Sequence, residues 1–306
     1  MDERRDQRGG RRAAYRLMLF AACLGAVSYF VWRNAGRLAA SGLRFDASLV
    51  ALSLGCVIAA YLARFLSWTA LASLFSLRAP LLPAGRAYFL SVLGRYIPGK
   101  VGLALVRIEG YRGHPASLVV LATGVEMLTA LSAGLVLMCV GILFLPPGVP
   151  AWLRWAAPAG IALIALLLSP PLFHRAARAA LRLTGSAEPP ILPRFGAMLG
   201  LIGLYLLPGL LQGLGLYTLL LSLGPVPAGS YLAVTGAYYT AGIAGMLAVF
   251  APGGIGVREG ILMLVLPVIV PRETAIAASL AIRLVMVAAE LLLAGVFALA
   301  ARRRGA

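Results

Sequence analysis

Long runs of hydrophobic residues alternate with short polar stretches along this chain of 306 residues. Apolar helices of about 17 to 25 residues cross the hydrocarbon core of a bilayer, and seven runs reach about that length. They are Tyr15–Trp32, Ser48–Leu71, Ser117–Leu145, Ala151–Ser169, Gly196–Leu223, Tyr231–Phe250 and Thr274–Ala300. Shorter runs lie at Ala84–Tyr96, Val101–Ile108 and Ile255–Val270. The pattern predicts an all-α polytopic membrane protein with about six to eight transmembrane helices.

Two proline–glycine motifs interrupt the apolar runs. Proline removes a backbone donor and glycine relaxes a helix, so each motif predicts a helix break. Unpaired backbone at membrane depth persists only inside protein or beside a watery cavity, and paired breaks mark substrate sites in transporters with inverted repeats. The predicted break residues are Pro98 and Gly99 in the first motif, and Pro252, Gly253 and Gly254 in the second.

The two motifs lie in halves of the chain that resemble each other, residues 48–145 and 196–300. The triplet Pro-Ala-Gly precedes each break, at residues 83–85 and 227–229, and a long apolar helix with an internal charge follows each one. The predicted topology gives the two long helices opposite directions across the membrane. We therefore expect an inverted repeat in which both breaks approach the midplane.

The formal net charge of +17 comes almost entirely from arginines that flank the apolar runs. This placement fits the positive-inside rule and anionic lipid headgroups rather than nucleic acid. It predicts a basic cytoplasmic tail at 1–14, one integral membrane domain at 15–301 and a second cytoplasmic tail at 302–306. A basic cluster at 175–194 is also cytoplasmic if residues 84–111 form a re-entrant hairpin, whose arms are too short to cross. We expect an inner-membrane protein with both termini in the cytoplasm.

Ionisable residues at bilayer depth cost roughly 2.5–3.5 kcal/mol or more, so they usually face a cavity or a charged partner. Glu126 and Arg283 lie about 15 Å into their predicted helices from opposite sides. Either they form a structural ion pair, or they line a cavity in which Arg283 holds a lipid phosphate. Glu290, two turns beyond Arg283, is predicted to be structural.

Further charged residues surround the two breaks. Lys100, the only lysine, lies on the first break, and its ammonium next to freed backbone amides suits a phosphate. Arg64 precedes Trp68 by one turn, a spacing that permits stacking, and is interpreted as an interfacial anchor. The full set of predicted substrate-binding residues is Arg95, Lys100, Arg107, Glu126, Arg258, Glu259 and Arg283.

Few residues suggest enzyme chemistry. The two histidines, His114 and His174, lie far apart, and the sequence predicts no metal site and no cofactor. The nearest candidate for an acid–base pair is Glu109 with Glu126. An intramembrane transferase that acts on a lipid-linked substrate therefore stays open as an alternative.

Four features of the sequence resemble the lysylphosphatidylglycerol synthase transmembrane-domain family. They are the stretch Gly94-Arg95-Tyr96-Ile97-Pro98-Gly99-Lys100-Val101, Glu126, the stretch Pro252-Gly253-Gly254-Ile255-Gly256-Val257-Arg258-Glu259 and Arg283. That family includes the flippase part of the multiple peptide resistance factor. The resemblance implies a protein that moves phospholipids or lipid-linked headgroups between leaflets, with anionic lipids as partners. Because the chain ends shortly after the last apolar run, we do not expect the synthase activity that full-length members of the family carry. A scaffold for a separately encoded lipid-modifying synthase is a further alternative, and a homo-oligomer is compatible with either.

Overall fold

The computed structural model of the chain describes residues 44–94, 101–146, 194–248 and 252–303, with a few isolated positions outside these ranges. Within these ranges the chain forms eight α-helices and no strand. They are α1 Ala47–Leu74, α2 Leu81–Leu93, α3 Val101–Gly110, α4 Ala116–Leu143, α5 Phe195–Leu221, α6 Tyr231–Leu247, α7 Val257–Val265 and α8 Arg272–Arg303. The predicted spans Tyr15–Trp32 and Ala151–Ser169 lie outside the described residues.

Four of these helices, α1, α4, α5 and α8, are long and apolar enough to cross a membrane. Their ends follow local chemistry. The side chain of Asp46 caps α1 by accepting hydrogen bonds from the amides of Ser48 at 2.8 Å and Leu49 at 3.3 Å. These bonds, with one from the Ser48 hydroxyl, hold the pKa of Asp46 below its ordinary value. The predicted span Tyr231–Phe250 is instead the 17-residue helix α6, about 25 Å long and therefore shorter than a ~30 Å hydrocarbon core.

Helices α2 and α3 form an antiparallel hairpin around the first proline–glycine motif. The C-terminal residue of α3, Gly110, lies against Ala87 of α2 with no room for a Cβ atom. One turn earlier on α3, the Nε of Arg107 donates a hydrogen bond to Ser91 Oγ of α2 at 3.1 Å. Helix α2 ends at Leu93, before the motif, and α3 begins at Val101, after it. Pro98 and Gly99 themselves lie outside the described residues.

A second hairpin, formed by α6 and α7, surrounds the second motif. Helix α6 ends at Leu247, and Pro252–Gly254 form a short 3₁₀ turn before α7. Glycines at this turn have positive φ angles, 60° at Gly253, 70° at Gly254 and 85° at Gly256, which favour glycine strongly. The described chain is therefore not a continuous α-helix from α6 to α7.

Contacts between long helices, and between long helices and hairpins, connect the N-terminal and C-terminal halves of the chain. Helices α1 and α5 run antiparallel, since Ser53 Oγ donates to Gly215 O at 2.6 Å and Ser67 Oγ to Leu204 O at 3.4 Å. The first arm of each hairpin packs on the last long helix of the other half, α2 on α8 and α6 on α4.

Small residues permit these close approaches. A Cβ atom at Gly85 on α2 would collide with Phe297 of α8, and Gly141 of α4 touches the backbone of Gly236 on α6. The arrangement surrounds a space between the hairpins and α1, α4 and α5, where the candidate site lies.

Candidate functional site

A cavity of about 220 Å³ lies between the two hairpins, α1, α4 and α5. Residues from both hairpins line it, including Val92 and Leu103 from the first and Gly253 and Gly254 from the second. Its walls also carry five tyrosine side chains and several ionisable groups. The charged residues among the described lining residues are Arg64, Arg107, Glu126 and Arg258, three cations and one anion, which leaves a formal charge of +2.

Arg107 and Glu126 form a buried ion pair between α3 and α4. Arg107 Nη1 lies 2.5 Å from Glu126 Oε2, and the two residues are only 1% and 3% exposed. The guanidinium carbon of Arg107 lies 4.0 Å from the ring centroid of Trp68 and 4.9 Å from that of Tyr88. Both rings therefore add cation–π attraction to the pair. The stacking partner of Trp68 is thus Arg107 from the hairpin.

Arg64 approaches the same carboxylate from α1. Its Nε lies 3.9 Å from Glu126 Oε1, and 35% of its side chain is exposed. Because α1 continues to Leu74, Arg64 lies about 15 Å before the C-terminal end of the helix. The sequence predicted an interfacial anchor, whereas the structure places Arg64 on the cavity wall beside Glu126. The missed signal is that Arg64 is the one charged residue of the run Ser48–Leu71, where an intramembrane charge is by default a functional candidate.

The second break carries its own buried ion pair. Arg283 Nε on α8 lies 3.8 Å from Glu259 Oε1 on α7, and each side chain is less than 5% exposed. Arg283 Nη1 also donates to the carbonyl oxygen of Gly253 at 3.3 Å. Glu259 Oε2 accepts from the amide of Gly256 at 2.7 Å and so caps α7.

The structure does not join the two mid-helix charges that the sequence proposed as one pair. Glu126 contacts Arg107 and Arg64, whereas Arg283 contacts Glu259 and the second break. Equal depth in two helices sets only the height of two residues, and the neighbours of each helix decide which charges meet.

The predicted site residues divide into three groups. Arg107, Glu126 and Arg258 line the cavity, and the guanidinium of Arg258 lies 5.4 Å from the ring centroid of Tyr238. Glu259 and Arg283 line a small gap beside Arg258 instead. The third group lies outside the described residues and consists of Arg95 and Lys100, beside the break residues Pro98 and Gly99.

Two other acidic residues have roles away from the cavity lining. Glu109 lies 3.2 Å from Arg112 on the partly exposed side of α3 and does not meet Glu126 in the cavity. Glu290, 1% exposed, accepts a hydrogen bond from Tyr61 and so links α8 to α1. The structural interpretation of Glu290 agrees with this contact.

Among the residues that the structure describes, no three histidine, cysteine or acidic side chains are grouped to hold a metal ion. Four long apolar helices, two of which carry a charge that is buried in an ion pair with a short hairpin helix, define an integral membrane protein. The chain belongs to the family described as the lysylphosphatidylglycerol synthase TM region, which it matches over residues 14–294. The resemblance inferred from the motifs is thereby confirmed. No curated protein matches the sequence.

Proposed function

We propose that this protein is a lipid translocator that moves an anionic phospholipid, or a lipid-linked anionic headgroup, between the leaflets of the inner membrane. The observation that carries the proposal is the cavity lined by both hairpins, whose described lining residues have a formal charge of +2. A positive cavity between apolar helices favours an anionic headgroup, because each buried cation needs a counter-charge.

The two groups of four helices, α1–α4 and α5–α8, are in this proposal the units of an inverted repeat. In such a repeat, α2 is equivalent to α6, α3 to α7 and α4 to α8. The contact of α2 with α8 then corresponds to that of α6 with α4, and the contact of α3 with α4 corresponds to that of α7 with α8. Both members of each pair are present. The antiparallel contact of α1 with α5 is what inversion requires of equivalent helices.

Both hairpins are re-entrant in this arrangement and enter from opposite sides of the membrane. The first has arms of 13 and 10 residues, which correspond to about 20 and 15 Å and cannot each cross a ~30 Å core. The cytoplasmic placement of both termini follows from the same topology. Rocking of one unit against the other would expose the cavity to each side in turn.

The charged residues take different parts in the proposed mechanism. Arg258 attracts the headgroup from the second hairpin, while the pair of Arg107 and Glu126 forms a fixed polar wall. Arg283 acts through the backbone that it holds, since Gly253 accepts its hydrogen bond and also lines the cavity. Arg95 and Lys100 complete the proposed cationic set at the first break.

The size of the cavity limits what it encloses. Its volume of about 220 Å³ is below the ~300–1,000 Å³ of sites that bury drug-sized ligands. A single headgroup is therefore the part of the lipid that enters, and the acyl chains stay in the bilayer beside the helices.

Transfer between leaflets tests the proposal directly. Purified protein is reconstituted into liposomes that carry a fluorescent anionic reporter lipid, and the fraction accessible to an external quencher is followed with time. We expect faster equilibration than in protein-free liposomes, slowed about tenfold by Arg258→Gln because a charged hydrogen-bond donor to the headgroup is lost. Arg272→Gln, at the exposed start of α8, is the matched control and leaves the rate unchanged.

Equal rates with and without protein would remove the translocator proposal. Formation of a new lipid product from an activated donor, without leaflet exchange, would favour the transferase instead. Co-purification with a lipid-modifying synthase, without activity in the isolated chain, would favour the scaffold.

A further inference from the structure

The hydroxyl group of Tyr205 on α5 is a buried polar group that the proposed mechanism does not use. Tyr205 is 3% exposed and lines the cavity. Among the described residues, its hydroxyl oxygen has no hydrogen-bond partner. Buried hydroxyl groups in folded proteins nearly always have a partner, so this one has free hydrogen-bonding capacity for a ligand or an ordered water.

Arg64 is the cation best placed to share that ligand. Tyr205 and Arg64 line the same cavity, and the charged groups that act on the Tyr205 hydroxyl are Glu126, Arg64 and Arg107. Arg107 is engaged by Glu126, Ser91 and two aromatic rings. Arg64, by contrast, lies beyond hydrogen-bond distance of Glu126, at 3.9 Å, and keeps 35% of its side chain exposed. Its guanidinium therefore has donor capacity left for a ligand.

We infer that Tyr205 and Arg64 form a phosphate-binding subsite on the wall of the cavity made by α1 and α5. A guanidinium group can only donate hydrogen bonds, so a group shared with Tyr205 must offer acceptor oxygens and negative charge. A phosphate does both, and its hydrogen bonds to charged donors are strong. The inference rests on the proposed function and deepens it, since it names two ligand contacts outside the hairpins.

The volume and charge of the cavity fit this ligand. With three arginines and one glutamate among the described lining residues, one phosphate group compensates part of the remaining charge of +2. The phosphate belongs either to a lipid headgroup or to a soluble phosphate compound. Both ligands would offer the same phosphate oxygens to Tyr205 and Arg64, and the competition experiment below distinguishes between them.

Binding of a short-chain lipid tests the subsite in the purified full chain in a phosphate-free maltoside detergent. Dihexanoyl phosphatidylglycerol is titrated, and the rise in apparent melting temperature gives its affinity. We expect Tyr205→Phe to weaken binding about tenfold or more, because a hydrogen bond to a charged group is lost. Without ligand, the same variant should melt at or above the temperature of the unaltered protein, since the removed hydroxyl had no partner.

Tyr217→Phe is the matched control. Tyr217 lies on the same helix, its ring contacts Tyr231 at 5.8 Å between centroids, and it does not line the cavity. Its affinity for the lipid should equal that of the unaltered protein. Arg64→Gln is the second test variant and should also weaken binding about tenfold, with partial recovery in Arg64→Lys.

Inorganic phosphate, added as a competitor, identifies the source. Failure to compete at concentrations far above that of the lipid assigns the subsite to a lipid headgroup. Competition that depends on Tyr205 supports the subsite and assigns it to a soluble phosphate. Lipid binding by Tyr205→Phe and Arg64→Gln at unaltered affinity would overturn the inference.

The leaflet-exchange assay keeps the two proposals apart. If the unaltered protein transfers lipid and Tyr205→Phe binds and transfers equally well, the subsite is wrong and the translocator stands. If binding depends on Tyr205 but no transfer occurs, the translocator is wrong and the subsite stands.

Discussion

The two hairpins differ in which helix carries the positive charge. In the first, Arg107 on the short helix α3 pairs with Glu126 on the long helix α4. In the second, Glu259 on the short helix α7 pairs with Arg283 on the long helix α8. Each pair ties the arm that follows a proline–glycine motif to the next long helix. The mechanical role is the same, but the signs are exchanged.

The surroundings of the two pairs also differ. Arg107 and Glu126 face the cavity, where Arg64 and the Trp68 ring meet them. Arg283 and Glu259 lie beside the cavity and bind backbone groups of the second break. A charge buried in the membrane is therefore not by itself a ligand contact. The first pair presents charge to the cavity, whereas Arg283 of the second pair binds the backbone of Gly253, which lines the cavity.

The largest expected effect comes from breaking the first pair. Glu126→Leu leaves both Arg107 and Arg64 without their carboxylate, and removing one partner of a buried pair costs about 3–5 kcal/mol. Unfolding should occur roughly 6 to 20 °C lower, as followed by tryptophan fluorescence on heating in detergent.

The double variant Glu126→Leu with Arg107→Met is the control, since it removes both charges and keeps a long side chain over Trp68. It should recover most of the lost stability. A double variant that melts no higher than the single one would show that the ion pair is not the reason for the loss.

Breaking the second pair should have a smaller effect on stability and little on ligand affinity. Arg283→Leu leaves Glu259 with its hydrogen bond from Gly256, so we expect the lower end of the range, about 3 kcal/mol. Affinity for dihexanoyl phosphatidylglycerol should change less than about threefold, because Arg283 does not line the cavity. A tenfold loss of affinity with unaltered melting would make Arg283 a direct ligand contact and would erase the distinction between the two pairs.

Part of this site was predictable from the sequence. A charge inside a long apolar run pointed to Glu126, and the position of Arg107 beside the first motif pointed to that residue. The pairing of Glu126 was not predictable, because depth along a helix does not say which neighbour faces it. The place of Arg64 in the cavity was not predictable for a related reason, since neither the extension of α1 to Leu74 nor the cavity beside it is encoded in local spacing.

The fold shows a similar division between what local pattern reveals and what it does not. The four long helices follow from continuous apolar runs. The repeated Pro-Ala-Gly triplet, however, has two different structures. Residues 83–85 lie in the first turns of α2, whereas residues 227–229 precede α6 in a turn with Gly229 at a φ of 79°. Identical triplets therefore need not adopt the same local structure.

Close glycine contacts allow a third comparison of the hairpins. Gly245 of α6 touches the Arg258 side chain and lies near the backbone of Gly254, so a methyl group there forces the second hairpin apart. We expect Gly245→Ala to lower stability by about 1–3 kcal/mol, measured by thermal unfolding. Gly110→Ala should act similarly on the first hairpin, where it meets Ala87.

Gly260→Ala on α7 is the control for both, because open space surrounds that position. It should be neutral or stabilising by up to about 1 kcal/mol, as expected for alanine in a helix. An equal loss of stability in Gly260→Ala would show that close contacts do not explain the cost of replacing helix glycines in this protein.

The smallest effect is expected at the exposed pair on the first hairpin. Glu109 lies 3.2 Å from Arg112, and their side chains are 27% and 59% exposed, so Glu109→Gln should cost less than about 1 kcal/mol. Leaflet exchange should continue at the unaltered rate, because Glu109 does not line the cavity. The comparison with Glu126 on the next helix then isolates location as the cause, since both are carboxylates within reach of an arginine. A Glu109→Gln variant that folds normally but loses function would restore Glu109 and Glu126 as an acid–base pair, and with it the transferase.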